Sequence, residues 1–134
     1  MTTITEDYVS FEIAKLLKEK GFNESCHCYY TDKGKFVDMA WNLWEKYNTN
    51  SELNEFSFCS APTLQITMKW LREVHNICII IEPRAYNYIN EKYSSYIASL
   101  WQGDNYYDNI KSKDHQTYEE AIEAALKYTL ENLI

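Results

Sequence analysis

The strongest constraint on the fold is a helical segment that leads directly into a run of β-branched residues. Pro62 suits the first position of a helix, and apolar residues then recur at helical spacing up to about His75. Asn76 can adopt the left-handed conformation that ends a helix, and residues 77–81 (Ile-Cys-Ile-Ile-Ile) have the composition of a buried strand. We therefore expect this helix-to-strand unit to form the core, with the strand at the centre of its sheet and covered on both faces.

Strand-forming segments on either side of this unit predict an antiparallel sheet. Pro83 is expected to end the strand at 77–81, and residues 86–90 and 96–101 follow as two further strand-like segments. A short polar stretch separates these two segments, which predicts an antiparallel meander. Residues 25–31 are also rich in strand-forming side chains and predict one more short strand.

Helices are predicted at both ends of the chain. Residues 5–20 have an apolar stripe at helical spacing, acidic residues at the start and lysines toward the end, and Gly21 supplies the stop. Near the other end, Thr117 and Glu120 match the capping box, in which each side chain satisfies the other residue's backbone amide. The last helix is therefore expected to start at Tyr118 and to run nearly to the C-terminus.

The middle of the first half gives a weaker pattern. Apolar residues within 36–47 fall on one helical stripe, which predicts a short helix, and the polar, Asn-rich residues 48–55 predict the longest loop. A chain of 134 residues is short enough for one hydrophobic core, so we expect a single domain over residues 1–134. The predicted fold is α+β, with an antiparallel meander of three to four strands packed against three to four helices, the terminal helices included.

Composition excludes some classes of function. The net charge of -7, with no local cluster of Lys or Arg, argues against nucleic acid as a ligand. The longest apolar run, residues 77–81, is far too short to span a bilayer, and the first residues lack a basic segment followed by an apolar one. We therefore expect a cytoplasmic protein whose cysteines are reduced thiols.

Two segments of the chain resemble a known family. Residues 60–77 (SAPTLQITMKWLREVHNI) and 118–134 (YEEAIEAALKYTLENLI) resemble a family of small uncharacterised proteins encoded by phages, prophages and mobile elements of gut Bacteroidetes. Residues 6–21 are similar to it more loosely, and residues 36–58 depart from its pattern. Because that family carries no assigned activity, the resemblance implies a genetic setting and supplies no catalytic or binding residue.

The thiols and imidazoles of the chain define one alternative function, a small metal-binding protein or enzyme. They supply enough soft ligands for zinc, but the chain has no Cys-x-x-Cys knuckle. In addition, two cysteines spaced Cys-x-Cys on a strand point to one face, and the His between them points to the opposite face. We therefore predict no cofactor and no catalytic residue. The residues concerned are Cys26, His27, Cys28, Cys59, His75, Cys78 and His115.

A second alternative is a DNA-binding regulator. Residues 69–73 (Lys-Trp-Leu-Arg-Glu) could form a recognition helix with basic side chains and an aromatic ring. Lys69 and Glu73, however, have the spacing of an ordinary ion pair on a solvated helix face, which is the interpretation that we favour.

The aromatic content gives the leading hypothesis, an interaction protein without enzymatic activity. Four Trp and twelve Tyr are more than a core of this size can easily hide, and Tyr and Trp are common in binding hot spots. We expect a protein partner or a second copy of the chain, and in a sharper version an acidic surface that imitates DNA toward a basic partner. The predicted surface comprises Tyr86, Tyr88, Tyr93, Tyr96, Trp101, Tyr106 and Tyr107.

Overall fold

The computed structural model describes residues 4–39, 48–108, 110 and 113–134. Within them the chain forms helices and two three-stranded antiparallel sheets, with a helix near each terminus, which confirms the predicted α+β fold and its antiparallel meander. The chain divides into two compact units, Met1–Thr63 and Leu64–Ile134, which are described in turn. The expectation of one domain over residues 1–134 stays a prediction.

The first unit consists of short helices and a small three-stranded sheet. In chain order its elements are α1 (Phe11–Glu19), β1 (Cys28–Tyr30), β2 (Phe36–Asp38), α2 (Asn50–Leu53), a 3-10 turn (Asn54–Phe56) and β3 (Cys59–Ser60). β1 lies between β2 and β3 and is antiparallel to both. α1 starts later than expected because Ser10 caps it, with the Ser10 Oγ accepting a hydrogen bond from the Ile13 amide at 3.3 Å.

Two predictions for the first unit are wrong. Phe36–Asp38 is a strand instead of the start of a helix, because the turn before it returns the chain alongside β1; the rest of the predicted helix, residues 40–47, lies outside the described residues. The predicted loop at 48–55 contains α2, whose start is a capping box. The Thr49 Oγ1 accepts from the Glu52 amide at 3.3 Å, and the Glu52 carboxylate accepts from the Thr49 amide at 3.1 Å.

A buried asparagine joins three segments of the first unit. Asn50 is only 5% exposed, and its side-chain nitrogen donates to the Phe22 carbonyl at 2.7 Å. Its side-chain oxygen accepts from the Ser60 amide at 2.8 Å. Asn50 therefore connects the start of α2 to β3 and to the chain that follows α1, and it satisfies backbone groups that would be costly to bury without partners.

The second unit is a meander covered by two helices. Its elements are α3 (Leu64–His75), β4 (Ile77–Asn87), β5 (Lys92–Gln102), β6 (Asn105–Tyr107) and α4 (Tyr118–Asn132). The strand order is β4-β5-β6; α4 packs on β4 and β5, and α3 contacts β4 and α4. Its fully buried side chains include Leu71, Ile77, Leu100, Ile122 and Leu126. None of the helices in the described residues combines the length and the apolar character needed to span a membrane.

The structure corrects the predicted position of the isoleucine-rich strand. β4 is an edge strand of its sheet, not a central one, and the Cys78 side chain on it is exposed. The strand continues past Pro83 to Asn87, with irregular pairing on both sides of Ala85. Proline has no backbone N–H to donate to a neighbouring strand. It is tolerated in an edge strand because one side of that strand has no neighbour that needs the donor.

The starts of the two helices in the second unit follow the predicted signals closely. α3 starts at Leu64, two residues after Pro62, and α4 starts at Tyr118 as predicted. The Thr117 Oγ1 accepts from the Glu120 amide at 3.0 Å, as in a capping box, but the Glu120 carboxylate accepts from the Gln116 amide at 3.2 Å. The predicted reciprocal bond to the Thr117 amide is thus replaced by one to the preceding residue.

Candidate interaction surface

The β4–β5 hairpin carries an arm, residues 82–94, in which no side chain is buried. Twelve of its thirteen residues are exposed, and Asn87 is half-buried. The Asn87 side-chain oxygen accepts from the amides of Ile89 and Asn90 at 2.9 and 3.4 Å, and Glu91 takes a left-handed conformation with φ of 55°. These features close the four-residue turn between the strands, since Asn favours such a turn by bonding to the amides that follow it.

Aromatic rings gather at the end of the arm. Tyr86 and Tyr93 are opposite each other in the ladder, with ring centroids 5.4 Å apart, and the Tyr88 ring meets the Tyr86 ring edge-on at 4.9 Å. Tyr88 is 84% exposed and the neighbouring Ile89 is 96% exposed. We call Tyr86, Tyr88, Ile89 and Tyr93 the arm tip.

The line of rings continues from the arm tip toward α4. Tyr96 is half-buried, and its ring lies 6.4 Å from Tyr93 and 5.9 Å from Tyr118, in edge-on contact with each. Its backbone exchanges two hydrogen bonds with His115, at 2.7 and 2.8 Å. Tyr96 therefore anchors the row of tyrosines where the arm meets the rest of the second unit.

The remaining three residues of the predicted surface lie elsewhere on the sheet. Trp101 and Tyr106 form an exposed pair with centroids 4.8 Å apart, whereas Tyr107 is half-buried against Tyr128. Trp101 is eight residues from Tyr93 along β5, which corresponds to about 26 Å of extended strand. Five of the seven predicted residues are thus exposed, in two separate groups; Tyr96 is half-buried beside the first group, and Tyr107 belongs to neither.

Two residues of this region were missed at the sequence level. Ile89 is almost fully exposed in the hairpin turn, and Tyr118 is 39% exposed beside Tyr96. No signal pointed to Ile89, because residues 86–90 were predicted to form a strand, in which an isoleucine is ordinary; the structure instead has residues 88–91 as the turn. Tyr118 gave no signal, since a tyrosine in the first turn of a helix is unremarkable.

Three of the four thiols do not have the environment of reactive cysteines. Cys26, Cys28 and Cys59 are buried. Burial raises the pKa of Cys26 to about 12, with further increases from Cys28 and Glu24. Burial also raises the pKa of Cys59, although nearby lysines act in the opposite direction. Thiols in this state stay protonated near neutral pH, which disfavours both a nucleophile and a metal ligand.

Histidines and carboxylates do not complete a metal site in the part of the chain that the structure describes. No group of three or more His, Cys, Asp or Glu side chains there could hold an ion. The His75 ring packs edge-on against Trp70, with centroids 4.7 Å apart.

On the same helix Lys69 and Glu73 form the predicted ion pair at 4.0 Å, with both side chains more than half exposed.

Comparisons with known proteins add no relative to this geometry. No family model, no curated protein and no solved structure matches the chain.

Proposed function

We propose that this chain is an interaction protein without enzymatic activity, and that it docks onto a protein partner through the arm tip. The observation that carries the proposal is the exposure of residues 82–94 together with the side chains at their end. Tyr86, Tyr88, Ile89 and Tyr93 are each at least 41% exposed. Large apolar side chains gathered on an exposed hairpin contribute little to the fold, so their grouping supports a role in binding.

The charge of the arm favours an apolar recess as the complementary surface. Its charged residues are Glu82, Arg84, Glu91 and Lys92, two of each sign, so its formal charge is zero, in a chain whose total is -7. Long-range attraction therefore contributes little at the arm, and burial of the rings would supply the binding free energy. Tyrosine suits this role because it buries a large area while few of its bonds lose rotational freedom.

The proposal extends to the setting of the protein. The resemblance of residues 60–77 and 118–134 to proteins of phages and mobile elements supports an accessory factor of such an element, acting in the bacterial cytoplasm. The partner would then be a protein of the host or of the element.

A capture experiment with matched variants tests the proposal. Tagged wild-type protein and the variant Tyr88→Ser/Ile89→Ser are incubated with lysate of a gut Bacteroidetes species, and the recovered proteins are quantified by mass spectrometry. The control, Ile4→Ser/Val74→Ser, removes two apolar side chains that are 98% and 58% exposed outside the arm. We expect a partner that the wild type and the control recover equally and that the arm variant loses.

Two outcomes would contradict the proposal. One is equal recovery of every enriched protein by the arm variant, and the other is the absence of any enriched protein together with a monomeric chain in sedimentation. Self-association that the arm variant abolishes would instead support the proposal, with a second copy of the chain as the partner.

A further inference from the structure

A second exposed group lies on the second unit, away from the arm. Cys78, Trp101 and Tyr106 face one another across β4, β5 and β6, because Cys78 pairs with Trp101 and Trp101 pairs with Tyr106 in the ladder. All three side chains are exposed, with Trp101 at 42% and Tyr106 at 47%. We call these three residues the open row.

One carboxylate contacts the open row at its β6 end, and a second belongs to the neighbouring turn. Asp104 lies in the turn between β5 and β6, and Asp108 follows β6 directly. The Tyr106 hydroxyl donates to the Asp108 carboxylate at 3.4 Å. Among the residues that the structure describes, neither Asp104 nor Asp108 forms an ion pair, and no Lys or Arg side chain lies over the ring of Trp101 or Tyr106.

We propose that the open row binds the guanidinium group of an arginine in a basic segment of a partner protein. The Trp101 and Tyr106 rings, tilted by 41° with centroids 4.8 Å apart, offer π-faces to a planar cation. Asp104 and Asp108 supply carboxylates for its N–H groups. The charge of this border is complementary to a basic partner only, since a neutral or acidic segment would leave both carboxylates unmatched.

Arginine fits this surface better than lysine. Its guanidinium is planar, weakly hydrated and able to stack on an aromatic ring while donating sideways to carboxylates. The ammonium of lysine is compact and strongly hydrated, and it gains less from stacking. The inference is independent of the arm, because the open row lies about 26 Å along β5 from Tyr93.

A peptide titration tests this assignment. Capped Gly-Gly-Arg-Gly-Gly, and the same peptide with Lys or Gln in place of Arg, are added to the full chain labelled with nitrogen-15. The indole N–H signal of Trp101, assigned by its loss in Trp101→Phe, reports binding, and the indole signal of Trp70 reports that the fold is unchanged. We expect a saturable shift of the Trp101 signal with the Arg peptide, a weaker one with Lys, and a dissociation constant at least about fivefold higher for Gln.

Two double variants, each of which removes two negative charges, distinguish a specific binding site from general electrostatic attraction to an acidic protein. Asp104→Asn/Asp108→Asn should weaken binding of the Arg peptide at least about fivefold, and Asp32→Asn/Glu55→Gln, in the first unit, should leave it within about twofold. Equal binding of the Arg and Gln peptides would overturn the proposal. So would equal weakening by the two variants, or a Trp101 signal that does not move.

Discussion

The two halves of the β4–β5 hairpin, the base and the arm, share one hydrogen-bond ladder but differ in the burial of their side chains. In the base, residues 77–81 and 95–102, Ala98 and Leu100 on β5 are completely buried, and so is Ile77 on β4. In the arm, the same two strands continue for residues 82–94 without one buried side chain. Backbone pairing is continuous across the boundary apart from the irregularity around Ala85.

This difference separates what folds the second unit from what it presents to solvent. The base is stabilised by burial against α4, and its buried side chains are mainly aliphatic. The arm has only two strands, an arrangement that is marginally stable on its own, and it is held by cross-strand rings and by the Asn87 turn. The four following predictions measure the contrast, from the largest effect to the smallest.

Truncation of a buried side chain in the base should strongly reduce the free energy of unfolding. Leu100→Ala removes a side chain with no exposed surface and leaves a cavity under α4, and we expect a loss of about 2–5 kcal/mol. Chemical denaturation measures the loss. In the arm, Tyr88→Ala removes a larger side chain that is 84% exposed and should change the free energy of unfolding by less than about 0.5 kcal/mol. Similar losses for the two variants would contradict the contrast.

Hydrogen exchange should divide the hairpin at the same boundary. Amides of residues 97–100 are expected to exchange mainly through unfolding of the whole second unit, because this part of β5 is buried. Amides of the arm are expected to open locally, with an opening free energy lower by about 2 kcal/mol or more. The comparison is made residue by residue under native conditions. One common opening free energy along both strands would show that the arm and the base unfold together.

The contrast also explains how far the sequence determines the fold. Local signals were sufficient for the start of α4 at Tyr118 and for the presence of a strand at Ile77, because capping and β-branched side chains act within a few residues. They were insufficient for the extent and position of β4. Whether Pro83 ends a strand depends on which side of the strand has a neighbour, and that depends on the rest of the sheet.

The candidate surface was predictable in composition but not in arrangement. Composition indicated that some rings must be exposed, and the structure leaves Tyr88 and Trp101 at the surface. Their division into two groups follows from strand register, because the ladder places Tyr86 opposite Tyr93 and Trp101 opposite Tyr106. Register is a property of the paired strands, so it could not be obtained from either segment alone.

The cross-strand tyrosines should contribute a moderate, local coupling. The Tyr86 and Tyr93 rings meet edge-on at 5.4 Å, and a double-mutant cycle with alanine at both positions should give a coupling free energy of about 0.5–1 kcal/mol. The cycle is read from the opening free energy of arm amides, because a local effect need not alter global unfolding. A control cycle with Tyr88 and Trp101, which lie in different groups, should give a coupling near zero. Equal coupling in the two cycles would mean that the contact seen between Tyr86 and Tyr93 has no energetic role.

The smallest effect is expected on the exposed face of the base itself. Cys78 lies in the base but is exposed, so Cys78→Ser should change the free energy of unfolding by less than about 0.5 kcal/mol.

The accessibility of Cys78 predicts that one thiol reacts with a maleimide much faster than the others at pH 7.5, and that Cys78→Ser abolishes this fast phase. Cys26 should stay slow up to pH 9, since a pKa of about 12 keeps its thiol protonated there and the side chain is buried. Cys26→Ser is the matched control and should retain the fast phase. Fast labelling of Cys26 or Cys59 would contradict the distinction, because the exposed face would then be no more open to solvent than the interior.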